Sequence, residues 1–240
     1  MEVHGRIILK REEFQSSLKE RGLELTERQM EQFDEYASFL AEYNEKVNLT
    51  AITEYEEILE KHFYDCILPF LKKEMKGTLA DVGSGAGFPG AVLKIAFPEL
   101  KVVLLEPIRK RCVFLEELIA RLKLKDISVI NTRGEDHSLM HREEYDHVTA
   151  RAVSNLNMLI EVCGAMVKEG GYFIALRGNS GEEEIKGART AFETMGFEEE
   201  EVFSEYLPDG SKRVIGYYRK CRKTPKKYPR KYSIIKQKSL

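Results

Sequence analysis

Between residues 12 and 76 apolar positions recur every three to four residues, the period of helices buried on one side. After Thr26 the stripe Met30, Phe33, Tyr36, Ala37, Leu40 and Tyr43 runs along one face. Thr26 and Gln29 form a capping box that starts this helix, and the pattern predicts its end near Asn44–Asn48. The following EYEEILEKHFYDCILPFL keeps the helical period until Pro69. No strand-like run interrupts this part, so residues 1–76 are expected to form an N-terminal helical extension. From residue 77 the pattern changes. TLADVG, KVVLLE, ISVIN, YDHVTARA and GGYFIALRG have the length and apolar content of buried strands. Between and after them FPGAVLKIAF, IRKRCVFLEELIARLKL, NLNMLIEVCGAMVK and GEEEIKGARTAFETMG have the helical period, and FEEEEVFSEYLP with KRVIGYYRK reads as a closing antiparallel pair. This alternation predicts an α/β domain over residues 77–220, with a mostly parallel doubly wound sheet and a C-terminal antiparallel hairpin.

Charge adds a tail to this picture. The net charge of −2 hides an asymmetry: from Ser211 to Leu240 there are 12 Lys+Arg and no Asp or Glu. An acidic body with a basic end points to a polyanionic partner. In TPKKYPRKYSIIKQK tyrosines interleave with the charges, which suits phosphate contacts plus base stacking. Lys226, Lys227 and Arg230 are therefore candidate contacts to that partner, with a merely solubilising tail as the alternative, and residues 221–240 read as a weakly ordered basic tail. The four cysteines are scattered, which excludes a zinc ribbon or disulfide framework. His137 and His141 have helical metal-site spacing but lack the glutamate of a zinc motif, and they read as solvated loop histidines. No metal is expected. No apolar run approaches the roughly 18 residues of a membrane span. The N-terminal MEVHGRIILKREEF lacks a signal-peptide pattern. The expected location is the cytoplasm, without membrane contact, as a monomer.

The chemistry gathers in LADVGSGAGFPG at 79–90, between the first strand and the first helix of the α/β part. Gly85-Ala-Gly87-Phe-Pro-Gly90 matches the dinucleotide pattern, and Gly83-x-Gly85-x-Gly87 matches that of enzymes using S-adenosylmethionine. Glu106 ends the second strand 19 residues after Gly87 and can bind a ribose in either case. Asp81 separates the two. A carboxylate at the strand end repels a pyrophosphate and favours the cationic ammonium and sulfonium of S-adenosylmethionine. Gly134 and Glu135, after the third strand, are candidate adenine-side contacts. The position after the fourth strand reads TARAVSN, which excludes the N-P-P-Y-type motif of amino-group DNA methyltransferases. Cys163 sits among apolar helix neighbours and reads as core rather than as a nucleophile.

With these residues in view, the chain resembles the 16S ribosomal RNA guanine-N7 methyltransferase family, also called glucose-inhibited division protein B. The matching stretches are NLTAI at 48–52, HFYDC at 62–66, DVGSGAGFPG at 81–90, LEPIRKRCVFLEEL at 105–118, ARAV at 150–153 and TPKKYPRK at 224–231. The resemblance implies a Rossmann-like S-adenosylmethionine-dependent methyltransferase fold and N7 methylation of one guanine in the RNA of the small ribosomal subunit. It implies cofactor contacts at Gly83, Phe88, Gly134, Glu135 and Arg151, with Asp81, Gly85 and Glu106 in the same cleft. On the substrate side it implies His62, Asp65, Arg133, Arg177 and Arg213. This chain departs from the family pattern at Cys66, where serine is usual. It has Arg177-Gly178 in place of Lys-Gly and Arg213-Val214 in place of Arg-His. The proline common before Gly170-Gly171 is missing.

Guanine N7 is an in-plane lone pair without a proton, so the reaction needs no general base. Alignment of N7, methyl carbon and sulfur carries it. Arg151 is the candidate catalytic residue, positioning substrate or cofactor carboxylate, with a structural salt bridge as the alternative. His62 and Asp65, three apart on one helical face, act together or form a buried capping pair. Three other functions remain open from the residues alone: an NAD(P)-binding oxidoreductase, a small-molecule methyltransferase, and a non-catalytic RNA-binding module.

Overall fold

A computed structural model describes residues 9–151 and 155–240 of the chain. Ala152 and Val153 of the ARAV stretch, and residues 1–8 of the N-terminal stretch, lie outside the described residues. Among the described residues the seven strands are β1 (Thr78–Val82), β2 (Lys101–Leu105), β3 (Ile127–Ile130), β4 (Tyr145–Arg151), β5 (Val167–Arg177), β6 (Phe197–Tyr206) and β7 (Lys212–Lys220). They form one sheet in the order β3-β2-β1-β4-β5-β7-β6. The first five run parallel, and β7 enters antiparallel between β5 and β6. The chain leaves β1 toward β2 on one side and returns to β4 on the other. A crevice therefore opens at the C-terminal ends of β1 and β4, where doubly wound sheets bind ligands.

The N-terminal helices are α1 (Arg11–Glu20), α2 (Glu27–Asn44), α3 (Tyr55–Ile58) and α4 (Asp65–Ile67), with a π-helix over Leu59–Tyr64 joining the last two. The capping box at Thr26 forms: the Gln29 amide donates to Thr26 Oγ1 and the Thr26 amide to Gln29 Oε1. The Gln29 side-chain amide then reaches the Ile95 carbonyl at 2.7 Å, on α5 (Gly90–Ala96). Phe14, Met30, Phe33, Tyr36 and Leu40 are fully buried in the same core as Leu93, Leu104 and, on α6 (Arg109–Leu122), Leu115. The extension is thus one layer of the α/β body. The helical expectation for 12–76 holds except at 45–54, a connecting segment, at the turn between α1 and α2, and at 71–76, where the chain turns after Pro69–Phe70 to enter β1.

The opposite face carries α8 (Leu156–Cys163) and α9 (Gly181–Met195) over a second core with Ile160, Phe173, Phe192 and Tyr218. The predicted helix over NLNMLIEVCGAMVK is shorter than expected, because Gly164 ends α8 and Val167 already pairs with Tyr145 in β5. Two further expectations are corrected. A short helix α7 (Gly134–Met140) follows β3, so His137 is no solvated loop histidine. It is buried, and its Nε2 meets the Tyr145 hydroxyl at 2.7 Å. Burial pushes its pKa down to about 4, so it stays neutral. The tail is also ordered. Arg142 donates to the Thr224 and Tyr228 carbonyls at 2.8 and 2.7 Å. The last helix, α10 (Tyr232–Gln237), buries Ile235 completely in the second core. Among the described residues no helix is long and apolar enough to cross a membrane.

Candidate active site

The glycine loop leaves β1 and turns back over the end of the sheet. Gly83 and Ser84 donate to the Leu105 carbonyl, and Gly85 donates to Glu106 Oε2 at 2.9 Å. Gly85 has φ +58, and a Cβ there would meet nothing closer than 3.9 Å. Its missing side chain therefore serves the backbone turn, not close packing. A cavity of about 420 Å³ opens above the loop, lined by Gly83, Gly85, Phe88, Glu106, Ile108 and Arg151 among others.

Glu106 is buried and holds two amides, Gly85 through Oε2 and Ile108 through Oε1, each at 2.9 Å. Each carboxylate oxygen keeps a second lone pair, so it can still accept from a ribose. Asp81 lies beneath the loop and does not line the cavity. It is fully buried, and its Oδ2 accepts from the Gly90 amide at 2.9 Å. Its Oδ1 is buried without a hydrogen-bond partner. Burial pushes its pKa up to about 7, against the Gly90 bond and the charge of Arg151. An orphaned acceptor under the loop fits a ligand that brings a cationic donor, as the S-adenosylmethionine ammonium does.

Arg151 closes β4 at the far wall. Its Nη2 donates to His62 Nδ1 at 3.1 Å, and its Nη1 lies 3.1 Å from Cys66 Sγ and 3.5 Å from Asp65 Oδ2. Because a guanidinium only donates, His62 Nδ1 must accept, and Nε2–H then donates to Thr50 Oγ1 at 2.8 Å. Burial and the Arg151 charge push the His62 pKa down to about 3, so the ring is neutral. It stacks on Phe88 at 4.3 Å, with Arg151 over the same ring at 5.3 Å. Burial likewise raises the Cys66 thiol to about 12, so it stays protonated beside the arginine. The π-helix delivers His62 just before Asp65, and both side chains reach Arg151.

A second cavity of about 600 Å³ lies on the other side of this wall and shares His62 and Arg151 with the first. Its lining includes Lys61, Asp65, Arg177, Glu184, Asp209 and Arg213. The sheet register explains the pairing of arginines. Arg177 ends β5 opposite Val214 of the antiparallel β7, so Arg213 arrives beside it. Arg213 donates to Asp65 Oδ1 at 2.6 Å. Arg177 is buried and 3.3 Å from Glu184, yet its Nε and Nη2 make no hydrogen bond. Burial lowers its pKa from the ordinary arginine value.

The structure therefore gathers His62, Asp65, Arg151, Arg177 and Arg213 around one wall. It does not bring the others there. Gly134 packs so closely that a Cβ would lie 2.7 Å from Val82 Cγ1. Glu135 is buried and accepts from Arg133 Nε at 2.6 Å. Arg133 lines neither cavity and lies over the Tyr232 ring at 4.3 Å. Arg230 is not a free cation: its Nε and Nη2 each contact the fully buried Glu161 at 2.6 Å. Lys226 and Lys227 are exposed. Sequence reasoning missed Tyr36 as more than a core residue, yet its hydroxyl donates to the Ala86 carbonyl at the apex of the glycine loop. It also missed Asp209, for which the turn signal Pro208-Asp209-Gly210 between two strands was the available clue. Among the described residues no group of three His, Cys, Asp or Glu side chains could hold a metal.

Solved structures similar in fold include M. jannaschii TYW2 in complex with AdoMet, at TM-score 0.54 and 16% identity over 65% of this chain and 74% of that one. A point mutant of the 16S rRNA (adenine(1408)-N(1))-methyltransferase from Catenulisporales acidiphilia gives TM-score 0.51 and 15% identity over 62% and 86%. At such identities they establish the fold alone: a mostly parallel, Rossmann-like methyltransferase sheet. Among curated proteins, ribosomal RNA small subunit methyltransferase G of Bacillus cytotoxicus is 48% identical over 92% of this chain and 94% of its own length. The protein of that name from Bacillus subtilis is 45% identical over 92% and 94%. The family model described as rRNA small subunit methyltransferase G matches residues 29–209. The chain belongs to the GidB family of small-subunit rRNA methyltransferases.

Proposed function

We propose that this protein transfers the methyl group of S-adenosylmethionine to N7 of a guanine in 16S rRNA. The observation that carries this reading is the shared wall of two cavities. One is built on the glycine loop, the other is lined by Lys61, Arg177 and Arg213, and His62 and Arg151 belong to both. A methyl group handed across that wall needs no mobile carrier.

Asp81, Gly83, Gly85, Phe88, Glu106, Gly134, Glu135 and Arg151 are the proposed cofactor residues. Glu106 accepts from the ribose, and the Asp81 carboxylate beneath the loop attracts the ammonium through its charge. S-adenosylmethionine supplies a sulfonium methyl, already an activated electrophile. With the cofactor held there, the guanine N7 lone pair would displace a neutral thioether from that methyl carbon. No proton moves, which agrees with a neutral His62 and a protonated Cys66. Arg151 is held by His62, Cys66 and Asp65 and serves both to orient the base and to complete a structural ion pair. Arg177 and Arg213 offer donors to guanine O6 and the flanking phosphates. Lys226 and Lys227 add exposed phosphate contacts beyond the cavity, whereas Arg133 and Arg230 act there only through the ordered tail. The protein works as a monomer in the cytoplasm, where its ribosomal substrate is.

Single-turnover methyl transfer tests the assignment of the wall. Arg151→Ala is expected to lower kcat/KM at least about 100-fold, the scale of a lost positioning contact. A wild-type rate in that variant refutes the assignment.

A further inference from the structure

The second cavity is lined by seven formally charged side chains, and their partners are unevenly shared. Lys61 pairs with Glu57, Arg151 and Arg213 with Asp65, and Arg177 with Glu184. Among the described residues no ion pair involves the remaining one, Asp209. Its carboxylate is nonetheless fixed. The Ser211 amide donates to Oδ1 at 2.8 Å, and the Asp209 amide donates at 2.8 Å to Glu60 of the π-helix. The Leu207 amide closes the turn on the Ser211 carbonyl at 3.0 Å, and Gly210 supplies φ +82. Burial opposes its charge, but the Ser211 bonds and the charges of Lys61 and Arg213 prevail and hold its pKa below the ordinary aspartate value. A rigid, ionised acceptor with no direct ion pair among the described residues therefore stands in this cavity, where Arg151 and Arg213 share the one carboxylate of Asp65.

We infer that Asp209 reads the Watson–Crick edge of the substrate guanine, accepting from N1–H and N2–H₂. The inference rests on the proposed guanine-N7 activity and adds to it the residue that selects the base. When N7 and O6 face the cofactor and the arginines, the opposite edge presents two donors, and a carboxylate is the group that matches both. Adenine presents an acceptor at N1 and no amino group at C2, so Asp209 meets it with like partial charges. A site built for hydrogen bonds rejects an analogue lacking them. The same contact favours the reaction. Methylation at N7 makes the base cationic and N1–H more acidic, so its bond to the carboxylate strengthens as the methyl group transfers.

The test compares small-subunit rRNA carrying guanosine or inosine at the methylated position, with wild type and Asp209→Asn. Inosine keeps N7, O6 and N1–H but lacks the N2 amino group. Asparagine keeps the acceptor for the Ser211 amide. The intrinsic difference between the two bases is common to both enzymes, so the ratio of ratios reads the contact. Wild type is expected to lose about 10-fold or more in kcat/KM on inosine, the scale of one charge-assisted base contact. In Asp209→Asn the penalty is expected to shrink to about 2-fold or less, while kcat on guanosine falls. Unchanged S-adenosylhomocysteine affinity shows that the variant is folded, because Asp209 does not line the cofactor cavity. An equal inosine penalty in both enzymes, or none in wild type, overturns the inference and leaves the N7 reading standing. No methylation of guanosine rRNA by wild type overturns both.

Discussion

Arg230→Ala tests whether the basic tail is part of the fold or a free arm. Glu161 on α8 is fully buried, and its carboxylate receives Arg230 Nε and Nη2 at 2.6 Å each and the Arg230 amide at 3.3 Å. Removing the guanidinium leaves a buried charge without compensation, which costs about 3–5 kcal/mol. That is a large part of the roughly 5–15 kcal/mol by which domains are stable. The cost has an escape. If residues 221–240 detach as a unit, the loss is limited to the free energy that docks them. Both routes are measurable. Urea unfolding at neutral pH reads the global loss, and trypsin cleavage within the lysine-rich tail reads the local one. The double variant Arg230→Met with Glu161→Leu should recover most of the stability, because an apolar pair needs no counter-charge. An Arg230→Ala protein that unfolds within about 0.5 kcal/mol of wild type and resists trypsin equally would refute the reasoning.

Three further outcomes follow from the site. Burial raises the Asp81 pKa to about 7 from an ordinary 3.8, so the folded protein holds a proton that the unfolded chain releases. The sign for a raised acid is a stability contribution present below the ordinary value and lost as pH rises toward about 7. The ammonium of the cofactor prefers the ionised form, so S-adenosylhomocysteine affinity should rise through about pH 7, and calorimetry on Asp81→Asn should show a flat profile. Tyr36→Phe removes only the hydroxyl that holds the Ala86 carbonyl. An unpaired buried carbonyl costs about 1–3 kcal/mol, so urea unfolding of Tyr36→Phe should show a loss of that size; unchanged unfolding refutes the role of Tyr36. Exchanging Lys226 and Lys227 for glutamate should reduce the salt slope of RNA binding by about 2, at near one counterion per phosphate contact. An unchanged slope would place the phosphates elsewhere.

The strands, the glycine loop and the capping box were legible because each is local: period, turn residues and cap spacing decide them within a few positions. What was not legible depends on distant partners. Glu161 looks like one polar position in an apolar helix until Arg230 arrives 69 residues later. The tail therefore read as loose when it is docked. The insertion of β7 between β5 and β6 sets Arg213 beside Arg177, a neighbourhood that hairpin prediction alone leaves open. The helical stripe through Tyr36 marked burial, but not that its polar tip reaches the loop. The π-helix at Leu59–Tyr64 has no signature in a 3.6-residue pattern, yet it carries His62 and leads into Asp65.

The most direct test of the central claim is chemical mapping of the methyl group. Small ribosomal subunits and rRNA lacking the modification are incubated with the protein and labelled S-adenosylmethionine, then treated with borohydride and aniline, which cleave RNA at N7-methylguanine. The account predicts label in 16S rRNA and cleavage at a single guanine. Label without cleavage would contradict N7 as the acceptor, and absence of label with S-adenosylhomocysteine still bound would contradict rRNA as the substrate.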